Sequence, residues 1–176
     1  MGAGNGALAW AYLGRNPAYR EAWAAHAAPP TFEDAHILVR IQQEADLSAE
    51  AFGLLAWTDP AGNATPFWSV SAPLAGEFVV PGQAPLAALL CNAGTRLEGL
   101  RTLDGALLLK AERGDVTVQV RIPAPCEFTP DAGLVVRIEV GLGLPMAIER
   151  MRDLWEVAGV PGPRGGRERG ASTRSF

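Results

Sequence analysis

The chain has 176 residues, 48% of them hydrophobic and 19% charged, which is enough apolar material for a buried core and too little charge for a disordered polymer. Its net charge of -4 argues against a surface that is basic all over, as a general nucleic-acid binder would need. The charge is uneven: over residues 159–176, Arg164, Arg167, Arg169 and Arg174 against Glu168 give a tail of +3 and leave -7 for the rest.

No apolar run reaches the ~18 residues that a membrane span needs. The opening Met1-Gly2-Ala3-Gly4-Asn5-Gly6 has neither the charged nor the apolar region of an export signal. The expected compartment is therefore the cytoplasm, where the two cysteines, Cys91 and Cys126, are expected reduced rather than bridged.

In chain order, Ala7 to Leu13 reads as a short helix stopped by Gly14. Asn16-Pro17 restarts it, because Asn caps well and Pro suits the first helical position. This second helix runs to about Ala27, where Pro29 and Pro30 intervene. Thr31 with Asp34 suggests a weak capping box for a further helix carrying Ile37, Leu38 and Ile41 on one side, although Ile37-Leu38-Val39 is equally β-prone. Ser48, with Leu47 before it and Phe52 after it, matches a capped and stapled helix that ends near Trp57.

Asp59-Pro60 and Gly62-Asn63 are turn chemistry, and β-elements follow. Phe67 to Val70 and Glu77 to Val80 read as short strands, while Pro85 to Leu90 is apolar without a decisive period. The clearest element is a hairpin, Ala106 to Glu112 turning at Arg113-Gly114 into Asp115 to Ile122. In its second arm Val116, Val118, Val120 and Ile122 alternate with Thr117, Gln119 and Arg121, the period of a half-buried antiparallel strand. Leu134 to Val140 reads as one more strand. Pro145 then opens a helix, Met146 to Ala158, with Ile148, Met151, Leu154 and Trp155 on its apolar face.

Catalytic chemistry finds little support. His26 and His36 are the only histidines, and neither has a motif-like partner. Two His and two Cys scattered along the chain lack metal-ligand spacing. Gly2-Ala3-Gly4-Asn5-Gly6-Ala7 fits a dinucleotide fingerprint only in letters, since no strand precedes it. The acidic pairs Glu33 with Asp34 and Asp46 with Glu50 suit helix N-termini. No enzyme, cofactor or metal is expected.

The aromatic cluster is more informative. Trp10, Tyr12, Tyr19 and Trp23 crowd two short helices, and Tyr19 and Trp23 share a face at i, i+4. They need a second surface, either the chain's own core or a docked partner, where such rings are enriched.

The segment Trp10-Ala11-Tyr12-Leu13-Gly14-Arg15-Asn16-Pro17-Ala18-Tyr19-Arg20-Glu21-Ala22-Trp23 resembles the W-E-F-L-R-R-N-P-x-Y-R-x-x-W pattern that opens the proteobacterial transcriptional-regulator-like domain. Ala51-Phe52-Gly53-Leu54 with Pro66-Phe67-Trp68 is similar to its continuation, Phe52 standing where Trp is common. Leu103 to Leu109, Val116 to Val120 and the helix from Met146 resemble the region that precedes a helix-turn-helix-like DNA-binding domain in FseA-type activators of conjugative-element excision. The resemblance covers roughly residues 7–158. It implies a regulator of mobile-element transfer. The basic recognition region expected after the last helix is replaced here by Gly165-Gly166-Arg167-Glu168-Arg169-Gly170. The expectation is the first part of a split activator, its helix-turn-helix-like partner supplied by a second reading frame or in trans.

The expected fold is α+β: a helical module over 7–57, an antiparallel β-rich region with a closing helix over 58–158, and a disordered basic tail over 159–176. The expected partner-binding residues are Trp10, Tyr12, Leu13, Tyr19, Arg20 and Trp23, with DNA reached indirectly, no membrane contact, and Arg164, Arg167, Arg169 and Arg174 as possible nucleic-acid contacts.

Overall fold

The computed structural model describes residues 4–33, 35, 37–69, 74–79, 94–126, 132–137 and 143–158. The expectations for Asp34, His36, Cys91, the apolar patch 85–90 and the tail 159–176, with its four arginines, lie outside the described residues.

Two short helices open the chain, α1 (Gly4–Leu13) and α2 (Pro17–His26). The Asn16 side chain accepts the Ala18 N–H at 2.9 Å, and Pro17 fills the first turn, where its missing donor costs nothing.

The next stretch corrects the helical reading. Residues 31–41 form two strands, β1 (Thr31–Glu33) and β2 (Leu38–Ile41), paired antiparallel. The β-branched Ile37 and Val39 decide this, because both are buried in the sheet's core. The helix expected from Ser48 is instead a 3₁₀ segment, Glu44–Phe52. Its true start is Gln43, whose N–H donates to Asp46 Oδ2 at 2.9 Å. Ser48 lies inside it and donates to Ala45 O, so Ser48 is not the cap.

Five more strands follow: β3 (Leu74–Val79), β4 (Arg96–Arg101), β5 (Leu107–Arg113), β6 (Val116–Ile122) and β7 (Gly133–Arg137). All seven join one sheet in the order β1-β2-β4-β5-β6-β3-β7. The sheet is mixed, which corrects the antiparallel expectation. β2 runs parallel to β4, and β3 parallel to β6, while the other neighbours are antiparallel. Parallel neighbours need long connections, and the residues between β2 and β4 and between β3 and β6 supply them. The expected strand at 67–70 contributes only a bridge, Trp68 to Leu54, within the described residues.

The hairpin turns one residue later than expected. Arg113 pairs with Val116, so Gly114 and Asp115 form the turn, with Gly114 at φ +57°. β4 approaches β2 closely at Gly99, where a Cβ would lie 2.9 Å from Val39 Cγ2.

One face of the sheet packs Leu107, Leu109, Val118, Val120 and Ile122 against a final helix, α3 (Leu144–Val157), through Leu154 and Val157. The alternation along β6 is therefore as read. The helix's apolar face is not: Ala147 and Val157 are buried, whereas Ile148, Met151 and Trp155 are exposed. The opposite face of the sheet packs Leu100 and Leu108 under Ala56 and Phe67 of the loop that follows the 3₁₀ segment. No helix among the described residues is long and apolar enough to cross a membrane.

Candidate functional site

Tyr19 is the centre of the N-terminal cluster, with no solvent exposure. Its ring meets Trp10 edge-on at 5.7 Å between centroids, Phe52 edge-on at 5.3 Å and Trp57 at 5.6 Å. Edge-to-face pairs at these spacings are favourable beyond the area they bury. Leu13, Ala22 and Trp23 pack around the same cluster with Leu54 and Trp68. The second surface that the rings required is thus provided by residues 49–68 of this chain.

The expected partner-binding set therefore splits. Trp10, Leu13, Tyr19 and Trp23 turn toward the chain's own core. Tyr12 is 71% exposed, and Leu8, one turn before it on α1, is 57% exposed. Arg20 is exposed on α2. His26 ends α2 stacked on Trp57, centroids 6.4 Å apart.

Three polar ties hold the loop that caps this cluster. The Tyr19 hydroxyl donates to Thr58 O at 2.6 Å, and burial pushes its pKa up to about 12. Arg40 donates to Trp57 O at 2.6 Å and to Asp46 Oδ1 at 2.7 Å. Asp46 also accepts the Trp57 N–H at 2.9 Å. Among the described residues, the buried Nε of Arg40 makes no hydrogen bond.

The third tie is Lys110, the chain's only lysine, which is fully buried on β5. Its ammonium donates to Thr65 O at 2.6 Å and to Thr65 Oγ1 at 2.9 Å, and pairs with Glu98 at 2.9 Å. It also lies 4.5 Å from the centre of the Phe67 ring. Glu98 is shared with Arg96, and the Thr65 hydroxyl donates to Glu112. Every donor of the ammonium is met, which is what makes a buried cation tolerable.

Between these ties lies a cavity of about 550 Å³. Its walls come from the end of α2 with Pro29 and Pro30, from β1, β2 and β4, and from the loop 57–67. Trp23, Trp57, Phe32, Leu38 and Phe67 make most of it apolar; Arg40, Arg96, Glu98 and Asp59 add charge. Of the residues that build it, only Trp23 was expected from the sequence to belong to a site. The available signal was the density of Trp and Phe over 52–68, which marks a second aromatic partner for the helices. Arg40, Glu98 and Lys110 carried no spacing that could have marked them. Among the described residues, no three His, Cys, Asp or Glu side chains are grouped to hold a metal ion.

The fold and this cavity define an α+β chain whose mixed sheet is covered on both faces. No protein-family model matches the chain, and no curated protein matches it significantly.

Proposed function

We propose that this chain is the partner-contacting component of a transcriptional regulator that controls mobile-element excision and transfer. It acts in the cytoplasm through protein–protein contact with a helix-turn-helix-like DNA-binding domain, and reaches DNA only through that partner. The reading rests on the resemblance of the Trp10–Trp23 segment and on how that segment divides in space.

The observation that carries it is the outer face of α1. Leu8 and Tyr12 stand one turn apart with most of their surface in water. Their neighbours Trp10 and Leu13 are committed to the core. An exposed tyrosine beside an exposed leucine on a short, anchored helix is a ready anchor for a partner, and burying each would supply roughly 1.5–3 kcal/mol before ordering costs. Arg20 adds an exposed charge on the adjacent helix, suited to the polar rim of such an interface.

The test is co-expression with the helix-turn-helix-like domain that this reading requires, sought in the DNA beside this chain. Wild type should co-purify with it stoichiometrically. The Leu8→Ala/Tyr12→Ala variant should keep its melting temperature and lose the complex. Undiminished complex formation by that variant would overturn the role of α1. Neighbouring DNA that encodes no such segment in any frame would remove the proposed partner.

A further inference from the structure

We propose that the cavity between α2, the β1-β2-β4 end of the sheet and the loop 57–67 is a binding site for a small aromatic carboxylic acid. This goes beyond the proposed partner contact and does not depend on it.

Size and shape come first. The cavity is a half-open cleft of about 550 Å³, within the range that holds drug-sized ligands. It cannot close by simple collapse, because its loop is pinned at both ends. Thr58 is held by Tyr19 at one end and Thr65 by Lys110 at the other, at 2.6 Å each. Arg40 fixes the Trp57 carbonyl between α2 and the sheet. Such pinning is preorganisation, which lowers the ordering cost of binding.

The walls select the body of the ligand. Trp23, Trp57, Phe32 and Phe67 present ring surface, and Leu38 lies among them. Phe32 and Leu38 are 47% and 54% exposed. A flat aromatic body would cover both and stack on the indoles, with geometries favourable for ring pairs.

The mouth selects the head group. Arg96 lines the cavity and keeps 54% of its side chain in solvent. Among the described residues its ion pair is with a single Glu98 oxygen, and Glu98 is shared with the buried Lys110, which itself lies 3.9 Å from Glu112. The guanidinium therefore retains unpaired donors at the opening, which a carboxylate complements. The terminal nitrogens of Arg40 are already engaged by Asp46 and Trp57 O, and its remaining donor, Nε, is buried rather than at the mouth.

The experiment titrates the purified full chain with 2-naphthoate and with its uncharged analogue 2-naphthamide. Calorimetry measures affinity, and amide and indole proton–nitrogen spectra locate the site. Saturable binding of one naphthoate per chain is expected, with the largest shifts at the Trp23 indole and the backbone of Phe32 and Leu38. Arg96→Gln should weaken naphthoate roughly tenfold, the worth of a charge-assisted bond at an exposed mouth, and leave naphthamide unchanged. Leu38→Trp should fill the space and abolish binding of both. Arg96 is exposed, so its variant keeps the test alive should Leu38→Trp unfold. No saturable binding, shifts confined to other surfaces, or equal weakening of both probes by Arg96→Gln would each overturn the proposal.

Discussion

The hydroxyl of Tyr19 donates to the carbonyl of Thr58 at 2.6 Å, across 39 residues of chain. The bond joins the first turn of α2 to the loop that lies over the sheet. The same oxygen accepts the Thr58 N–H at 3.3 Å, so one phenol satisfies both backbone groups of a buried residue. A tyrosine, rather than a phenylalanine, is needed at the centre of the aromatic cluster for this reason.

Tyr19→Phe should therefore cost about 1–3 kcal/mol, by leaving Thr58 unsatisfied out of reach of water. The tyrosine also sets an alkaline limit. Burial holds its proton to about pH 12, against 10.0 for a free phenol. Between those values the unfolded chain has released a proton that the folded chain keeps, so stability falls as pH rises; below about 10 Tyr19 contributes no slope. Denaturant melts from pH 9 to 12 should show a steeper decline for wild type than for Tyr19→Phe. Parallel declines would contradict this.

Asp46 should be far more sensitive than an ordinary surface acid. It accepts from Arg40, from the Gln43 N–H and from the Trp57 N–H, with its side chain almost fully buried. Asp46→Ala leaves a cation without its partner and should cost about 3–5 kcal/mol. The exposed pair Arg137–Glu77 is the control: Arg137→Ala should change stability by less than about 1 kcal/mol. Chemical denaturation of the two variants measures both.

Gly99 is a packing requirement. A Cβ there meets Val39 Cγ2 at 2.9 Å and Leu107 Cδ1 at 3.2 Å. Gly99→Ala should destabilise by about 1–3 kcal/mol through overpacking. Adding Val39→Ala should recover part of that loss, and a double-mutant cycle by thermal melts would show the coupling.

The alternative we propose is a stand-alone antiactivator, or a weak DNA binder that uses the +3 charge of residues 159–176. Gel shifts at rising salt compare the full chain with one ending at residue 158. Binding that is sequence-independent, steeply salt-dependent and lost on truncation would support that role. Unchanged mobility for both forms would dismiss it.

Legibility in the sequence followed the strength of local signals. The Asn16-Pro17 start, the alternating valines of β6 and the need of Trp10, Tyr19 and Trp23 for a second surface all follow from one or two neighbouring residues. Residues 31–41 were ambiguous because the three-residue apolar run Ile37-Leu38-Val39 fits either period, and the pairing of Leu38 with Glu98 and Val39 with Gly99 resolves it. Ser48 misled because the cap is Gln43, whose partner Asp46 is fixed by the distant Trp57. The cavity was invisible for the same reason: its walls come from segments far apart in sequence, and Lys110 reaches Thr65 across the sheet.

The parallel join of β2 to β4 has a consequence for biosynthesis. A nascent chain displays Ile37 and Val39 well before Gly99 and Leu107 exist to cover them. Any fragment that stops short of Arg96 strands this greasy edge permanently, so severing the amino-terminal helices from the strands behind them should yield aggregates instead of a folded piece.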